Sequence, residues 1–143
     1  ITLSLAGKII EQDVYEEISK CTFVKYLGVL QKEQLLDAYN ENDVFIMVSK
    51  SETFGLVYAE ALTQGMPLVY SKGQGFDGFF KDGFIGYPAM ANDKKDIALM
   101  IKKVCSEYER LAQNCLIVGE RFSWDQITKT YDDIYLCIAK NKV

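Results

Sequence analysis

The chain has 143 residues, of which 49% are hydrophobic and 25% charged, and a net charge of -4. A domain of this size buries roughly 70% of its unfolded surface, so it can hold an apolar core without disulfide or metal staples. The acidic balance argues against a nucleic-acid binder, no apolar run reaches the roughly 18 residues of a membrane span, and the absence of histidine removes Ser-His-Asp and Cys-His chemistry.

Ile1 to Ala6 is a β-like run that stops at Gly7. It has no leading methionine, basic region or cleavage site, so the chain reads as soluble and as a cut inside a larger protein. Glu11 to Lys20 is helical in pattern, with Val14 and Ile18 on one face, and Thr22 to Leu27 is a second strand closed by Gly28. Gln31 to Asn40 is an amphipathic helix, and Asp43 to Val48 is a strand apolar enough to be covered on both faces. A helix from Gly55 to Gln64 ends at Gly65, with Pro67 beyond it opening the strand Pro67 to Ser71.

A glycine-rich loop, Gly73 to Gly78, comes next, followed by a helical turn at Phe79 to Lys81, an Asp82-Gly83 turn and a short strand from Phe84 to Pro88. The remainder is helical. Asn92-Asp93 caps a helix over Asp96 to Cys105, Tyr108 to Arg121 continues, and Ser123 caps a last helix from Trp124 to about Ala139. Strands alternating with helices at this spacing predict a Rossmann-like α/β fold with a doubly wound parallel sheet, residues 1–143 forming one domain. Such sheets bind ligands outside the carboxyl ends of their strands, which selects the loops after Ala6, Leu27, Val48 and Ser71.

The four cysteines, Cys21, Cys105, Cys115 and Cys137, are scattered without a C-x-x-C pair and read as buried thiols of a reducing cytosol. A zinc site would have to be built from thiolates at unhelpful spacings.

The stretch Ser51 to Ser71 carries most of the chemistry. Glu60 has Leu56, Val57, Ala59, Ala61 and Leu62 around it, which predicts a largely buried helix and a carboxylate that needs partners. Those partners are either an ion pair or cap from elsewhere in the fold, or the hydroxyls of a ligand. Glu52 stands in the loop before that helix, as a solvated surface residue or as a ligand contact. The helix start offers unpaired N–H groups and positive partial charge, with Gly55 allowing close approach, so Thr53, Phe54, Gly55 and Leu56 could present donors to a phosphoryl group. The Gly73 to Gly78 loop is either a plain turn or a second place where a sugar or phosphate comes close.

Glu52-Thr53-Phe54-Gly55-Leu56 through Glu60-Ala61-Leu62, then Gly65-Met66-Pro67-Leu68-Val69, resembles the E-F-G-L…E-A…G-x-P-V-V signature of retaining glycosyltransferases of family 4. Leu5-Ala6-Gly7 is similar to that family's first glycine loop, Val24 to Gly28 to its V-x-F-L-G, Asp43 to Ser49 to its A-D-V-F-V-x-P-S, and Phe122-Ser123-Trp124 to its closing F-S-W helix. The resemblance covers nearly the whole chain. It implies the truncated C-terminal, donor-binding half of a two-domain GT-B enzyme that moves a hexosyl unit, with retention, from a nucleotide diphosphate sugar to a saccharide or lipid-linked acceptor.

By that resemblance the carboxylate matching Glu60 binds ribose hydroxyls, and the one matching Glu52 contacts the transferred sugar and is the catalytic candidate. The amides matching Thr53 to Leu56 meet sugar and diphosphate, while Gly7 and the segment Lys25, Tyr26 and Leu27 line the nucleotide. No metal or other cofactor is implied, because positive groups and helix dipoles stabilise the departing diphosphate. The implied partner is an N-terminal acceptor domain, in a cytoplasmic enzyme that can associate peripherally with a membrane and serve surface polysaccharide or glycoconjugate synthesis.

The resemblance has two gaps. The family's arginine-lysine pair would precede Ile1, and Lys8 comes too late in the pattern to replace it, so these residues alone are expected not to catalyse transfer. The family's G-G-x-x-E loop is here Gly73-Gln74-Gly75-Phe76-Asp77-Gly78, and Asp77 is not assigned the acidic role. The alternative reading is a non-catalytic Rossmann-like module derived from a transferase and kept for assembly or regulation.

Overall fold

The structure, a computed structural model, describes residues 1–140. It falls into two compact units, the first comprising residues 1–42 and the second beginning at Asp43. Every strand pair in both is parallel, which requires a crossover connection between the paired strands, helical in two pairs and irregular over residues 72–85 in the third.

The first unit runs β1 (Leu3–Ala6), α1 (Gln12–Ser19), β2 (Val24–Gly28) and α2 (Lys32–Asn40). β1 and β2 pair from Leu3 opposite Val24, with a register shift after Leu5 that sets Ala6 opposite Gly28. The Gly7 N–H extends this pairing by donating to the Gly28 carbonyl at 2.8 Å. At the start of α2 the Gln34 side chain reaches back to accept from the Gln31 N–H, satisfying a donor that the helix itself leaves unpaired.

The second unit contains β3 (Phe45–Met47), α3 (Leu56–Thr63), β4 (Leu68–Ser71), β5 (Gly86–Ala89), α4 (Lys94–Ser106), α5 (Tyr108–Gly119), a 3-10 turn (Glu120–Phe122) and α6 (Trp124–Lys140). Its sheet has the order β3-β4-β5, so β4 is central, and all four of its residues are buried. Val69, Tyr87, Ala89, Val104 and Leu111 form one cluster of the core, flanked by Ile46, Val48, Ile97 and Ile101. Asp93 caps α4 as expected, accepting from the Lys95 and Asp96 N–H groups, and the Ser123 hydroxyl accepts from the Gln126 N–H at the start of α6. α5 crosses α3 at Gly119, where a Cβ would stand 2.6 Å from the Leu62 carbonyl oxygen.

The expected α/β fold of parallel strands and helices is observed, its strands bonding as a two-stranded sheet in the first unit and a three-stranded sheet in the second. Several local expectations need correction. β3 is three residues long and only half-buried, so it is not the strand covered on both faces that its apolar run suggested. Phe79 and Phe80 form bends and Lys81 is irregular, so there is no helical turn here, because Gly78 and Gly83 on either side take positive φ values of 89° and 79° that break a right-handed helix. Of the cysteines only Cys115 is buried; Cys21 is half-buried, and Cys105 and Cys137 are exposed because they lie on the outer faces of α4 and α6. No described helix is long and apolar enough to cross a membrane.

Candidate functional site

The loops that follow β3 and β4 leave adjacent parallel strands at their carboxyl ends, the edge at which open α/β sheets take ligands. They are joined at their roots: the Ser49 N–H donates to the buried Ser71 hydroxyl oxygen at 2.6 Å. Further out, the Glu52 N–H donates to Gln74 Oε1 at 3.0 Å, and the Gly75 N–H donates to the Glu52 carbonyl at 3.2 Å. Gly75 lies so close to the other loop that a Cβ would stand 1.4 Å from the Thr53 carbonyl oxygen. The close approach that Gly75 permits is therefore to Thr53 of the same protein.

Asp77 also turns inward, accepting from the Gly73 N–H at 2.7 Å and closing its own loop. The far end of that loop is tied to α5, where Arg110 donates to the Gly83 carbonyl and Asn114 to the Phe84 carbonyl, each at 2.8 Å. Arg110 is held in turn by an ion pair with Glu107. The segment is long but anchored at both ends.

Gly55 precedes α3 in the left-handed conformation at φ 78°, and no side chain caps the helix start. The first amides of α3 are thus presented with the positive end of the helix dipole behind them. Tyr58 sets this end in place. Its ring is fully buried, and its hydroxyl donates to the Met47 carbonyl at the end of β3 over 2.7 Å. The same ring would lie 2.6 Å from any Cβ on Gly55. Burial pushes the Tyr58 phenol above its ordinary pKa, hydrogen bonding to Ser71 opposes that shift, and the nearby Glu52 carboxylate adds slightly to it.

Glu60 departs from expectation. α3 buries Tyr58, Ala61 and Leu62, whereas Glu60 is exposed and Leu56, four residues before it on the same face, is 74% exposed. An apolar sequence all round the helix implied burial all round, but only one face packs on the rest of the unit, chiefly on α5 and β4. The carboxylate therefore stands on an open face and escapes the desolvation cost that its neighbours implied. Glu52 is half-buried, Thr53 exposed and Phe54 half-buried.

Gly7, Lys25, Tyr26 and Leu27 belong to the first unit. Lys25 is exposed and Leu27 half-buried. Tyr26 turns its hydroxyl to the Gly7 carbonyl at 2.7 Å and its ring edge-on to Tyr15 at 5.2 Å. Gly7 and Tyr26 border a cleft of about 350 Å³ with Leu5, Ile10, Val14 and Tyr15. Among the described residues no three Cys, Asp or Glu side chains gather in a way that could hold a metal ion.

Two contributors were not read from the sequence. Tyr58 looked like one more apolar helix residue, and only its depth beneath β3 reveals its hydroxyl's task. Gln74 had no pattern to mark it, since its partner is a backbone N–H 22 positions away.

The α/β fold of parallel strands thus sets a carboxylate and an uncapped helix start at the strands' carboxyl ends, the edge at which open sheets of this type take ligands. Residues 3–117 match the family described as Glycosyl transferases group 1, and the chain belongs to that family. It is 28% identical over 127 residues to the D-inositol 3-phosphate glycosyltransferase of Corynebacterium kroppenstedtii, a match covering 87% of this chain and 28% of that protein. Among solved structures it is similar to the pneumococcal O-GlcNAc transferase in complex with UDP and GlcNAc, with a TM-score of 0.77, 22% identity, and 94% of this chain and 29% of that one covered. It is also similar to Anabaena HepE in complex with UDP and glucose, with a TM-score of 0.75, 24% identity, and 92% of this chain and 40% of that one covered. The fold is thus that of GT-B glycosyltransferases, and the chain spans well under half the length of these proteins.

Proposed function

We propose that this chain is the donor-binding part of a retaining glycosyltransferase that moves a hexosyl unit from a nucleotide diphosphate sugar to a saccharide or lipid-linked acceptor. The observation that carries the reading is the arrangement of Glu52, the uncapped start of α3 behind Gly55, and the open Leu56–Glu60 face at the carboxyl end of β3. Glu52 contacts the transferred sugar. The amides of Thr53 to Leu56 meet the diphosphate, whose charge the helix dipole favours. Glu60 accepts from the ribose hydroxyls, each such bond to a charged group contributing about 1.5–3 kcal/mol.

Gly7 and the segment Lys25 to Leu27 serve the nucleotide base. Membership of the family supports the reaction class, and the UDP present in two proteins of the same fold supports the donor class. No metal is required for departure of the diphosphate in this reading. The acceptor is held by an N-terminal domain, and the whole enzyme works in the cytoplasm or on the inner membrane face in surface polysaccharide or glycoconjugate synthesis. A thermal-shift screen with UDP, GDP and ADP and their hexose conjugates tests it. A bound donor raises the melting midpoint, by about 2.7 kcal/mol of added stability at 100 times its Kd; no shift with any of them overturns the reading.

A further inference from the structure

The segment after the Gln74-Gly75 clamp is crowded with aromatic residues, Phe76, Phe79, Phe80 and Phe84. Phe76 is buried, but Phe79 is 60% exposed. The two rings lie nearly parallel, 11° apart with centroids 6.1 Å from each other. Phe54 closes the group, its ring edge-on to Phe79 at 5.2 Å and to Phe76 at 5.5 Å, with Phe122 behind it at 6.4 Å. Phe79 is therefore supported from within by packed rings and open on the outside.

An exposed phenyl ring gains nothing from water, and Phe79 with the packed rings behind it leaves an aromatic surface available to a ligand. This patch is continuous with the candidate site. Phe54 belongs to the segment between Glu52 and the start of α3, and the Phe79 loop is bonded to Glu52 through Gln74 and Gly75. A rigid aromatic face beside a carboxylate and backbone donors is matched to one ligand chemistry: a pyranose ring, which presents a face of C–H groups to the π-system and hydroxyls around its edge to the acceptors and donors. A nucleobase also stacks on phenyl rings, but the loop that carries Phe79 is bonded to the backbone of Glu52, the residue that the reading above assigns to the sugar.

We infer that Phe79, backed by Phe54 and Phe76, is a stacking platform for the hexose of the donor. The inference rests on the donor-binding reading for the identity of that hexose. Saturation-transfer difference NMR on this chain, with glucose, galactose, mannose and N-acetylglucosamine as one set of probes and UDP and GDP as another, tests the two separately. At least one sugar receives saturation at its ring C–H protons, and Phe79→Ala weakens that binding roughly two- to tenfold while Phe79→Tyr retains it. An unchanged melting midpoint of Phe79→Ala, expected for an exposed ring, keeps loss of fold out of the comparison. UDP or GDP binding, where present, is the same in all three proteins. Transfer to sugars that survives Phe79→Ala, transfer to no sugar in the unaltered chain, or an equal loss of UDP or GDP binding in Phe79→Ala overturns the inference. Transfer to sugars that depends on Phe79, without any binding of UDP or GDP, upholds the platform and overturns the donor reading.

Discussion

Gln74 Oε1 accepts a hydrogen bond from the Glu52 N–H at 3.0 Å, so the loop after β4 holds the candidate sugar-binding carboxylate's own backbone in position. The neighbouring Gly75 answers with a bond to the Glu52 carbonyl. Because any Cβ on Gly75 collides with the Thr53 carbonyl, Gly75→Ala must force the two loops apart. The expected loss of stability is about 1–3 kcal/mol, as for other overpacked sites. Gln74→Ala removes one hydrogen bond without a clash and costs about 0.5–1.5 kcal/mol. Urea denaturation of the two variants should rank them in that order.

Gly55 combines a left-handed backbone with a ring packed against its Cα. Gly55→Ala therefore meets the roughly 1–2 kcal/mol of a left-handed L-residue together with displacement of Tyr58. The variant should lose that stability in urea and, with the start of α3 shifted, also lose affinity for nucleoside diphosphates measured by calorimetry.

Tyr58→Phe keeps the buried ring and removes the hydroxyl with its bonds to the Met47 carbonyl and to Ser71. The expected cost is about 0.5–1.5 kcal/mol. The urea midpoint should fall while the slope of the transition stays the same, since the surface exposed on unfolding is unchanged.

The alkaline limb of stability should be set by buried groups that stay protonated in the fold. Cys115, fully buried with its thiol toward the Ile85 carbonyl, is pushed up to about 12 from an ordinary 9.0 by burial alone. Burial likewise raises the Tyr58 and Tyr70 phenols above 10.0. Above their ordinary values these groups ionise in the unfolded chain but not in the folded one, so the unfolded state binds fewer protons and stability falls as pH rises. Their contribution is fully present below pH 9.0 and declines toward pH 12. Denaturation midpoints taken across that range should drop, with a shallower decline in Cys115→Ala.

Much of the fold was legible because its signals are local. Gly65 with Pro67 stops α3, Asp93 and Ser123 cap their helices, and the strands fall within two residues of where their apolar runs place them. What was misread depends on packing. Glu60 has apolar neighbours on every side in sequence, yet the buried face of α3 is that of Tyr58, Ala61 and Leu62, and Glu60 lies outside it. The Gly73 to Gly78 loop reads either as a plain turn or as a place where a sugar or phosphate comes close, whereas the atom that Gly75 makes room for comes from Thr53, 22 positions earlier. The aromatic residues from Phe76 to Phe84 gave no periodic signal, since their order arises from contacts with Phe54, itself packed on Phe122, that no sequence window spans.

In the proposed reading Glu60 and the start of α3 hold a nucleotide donor, and calorimetry of Glu60→Ala against the unaltered chain reads that role. With whichever of UDP, GDP or ADP gives the largest thermal shift, the Kd should weaken about ten- to a hundredfold, the equivalent of roughly 1.5–3 kcal/mol of lost ribose hydrogen bonding. Because Glu60 is exposed, the substitution should leave the fold intact, and an unchanged Kd would contradict the account.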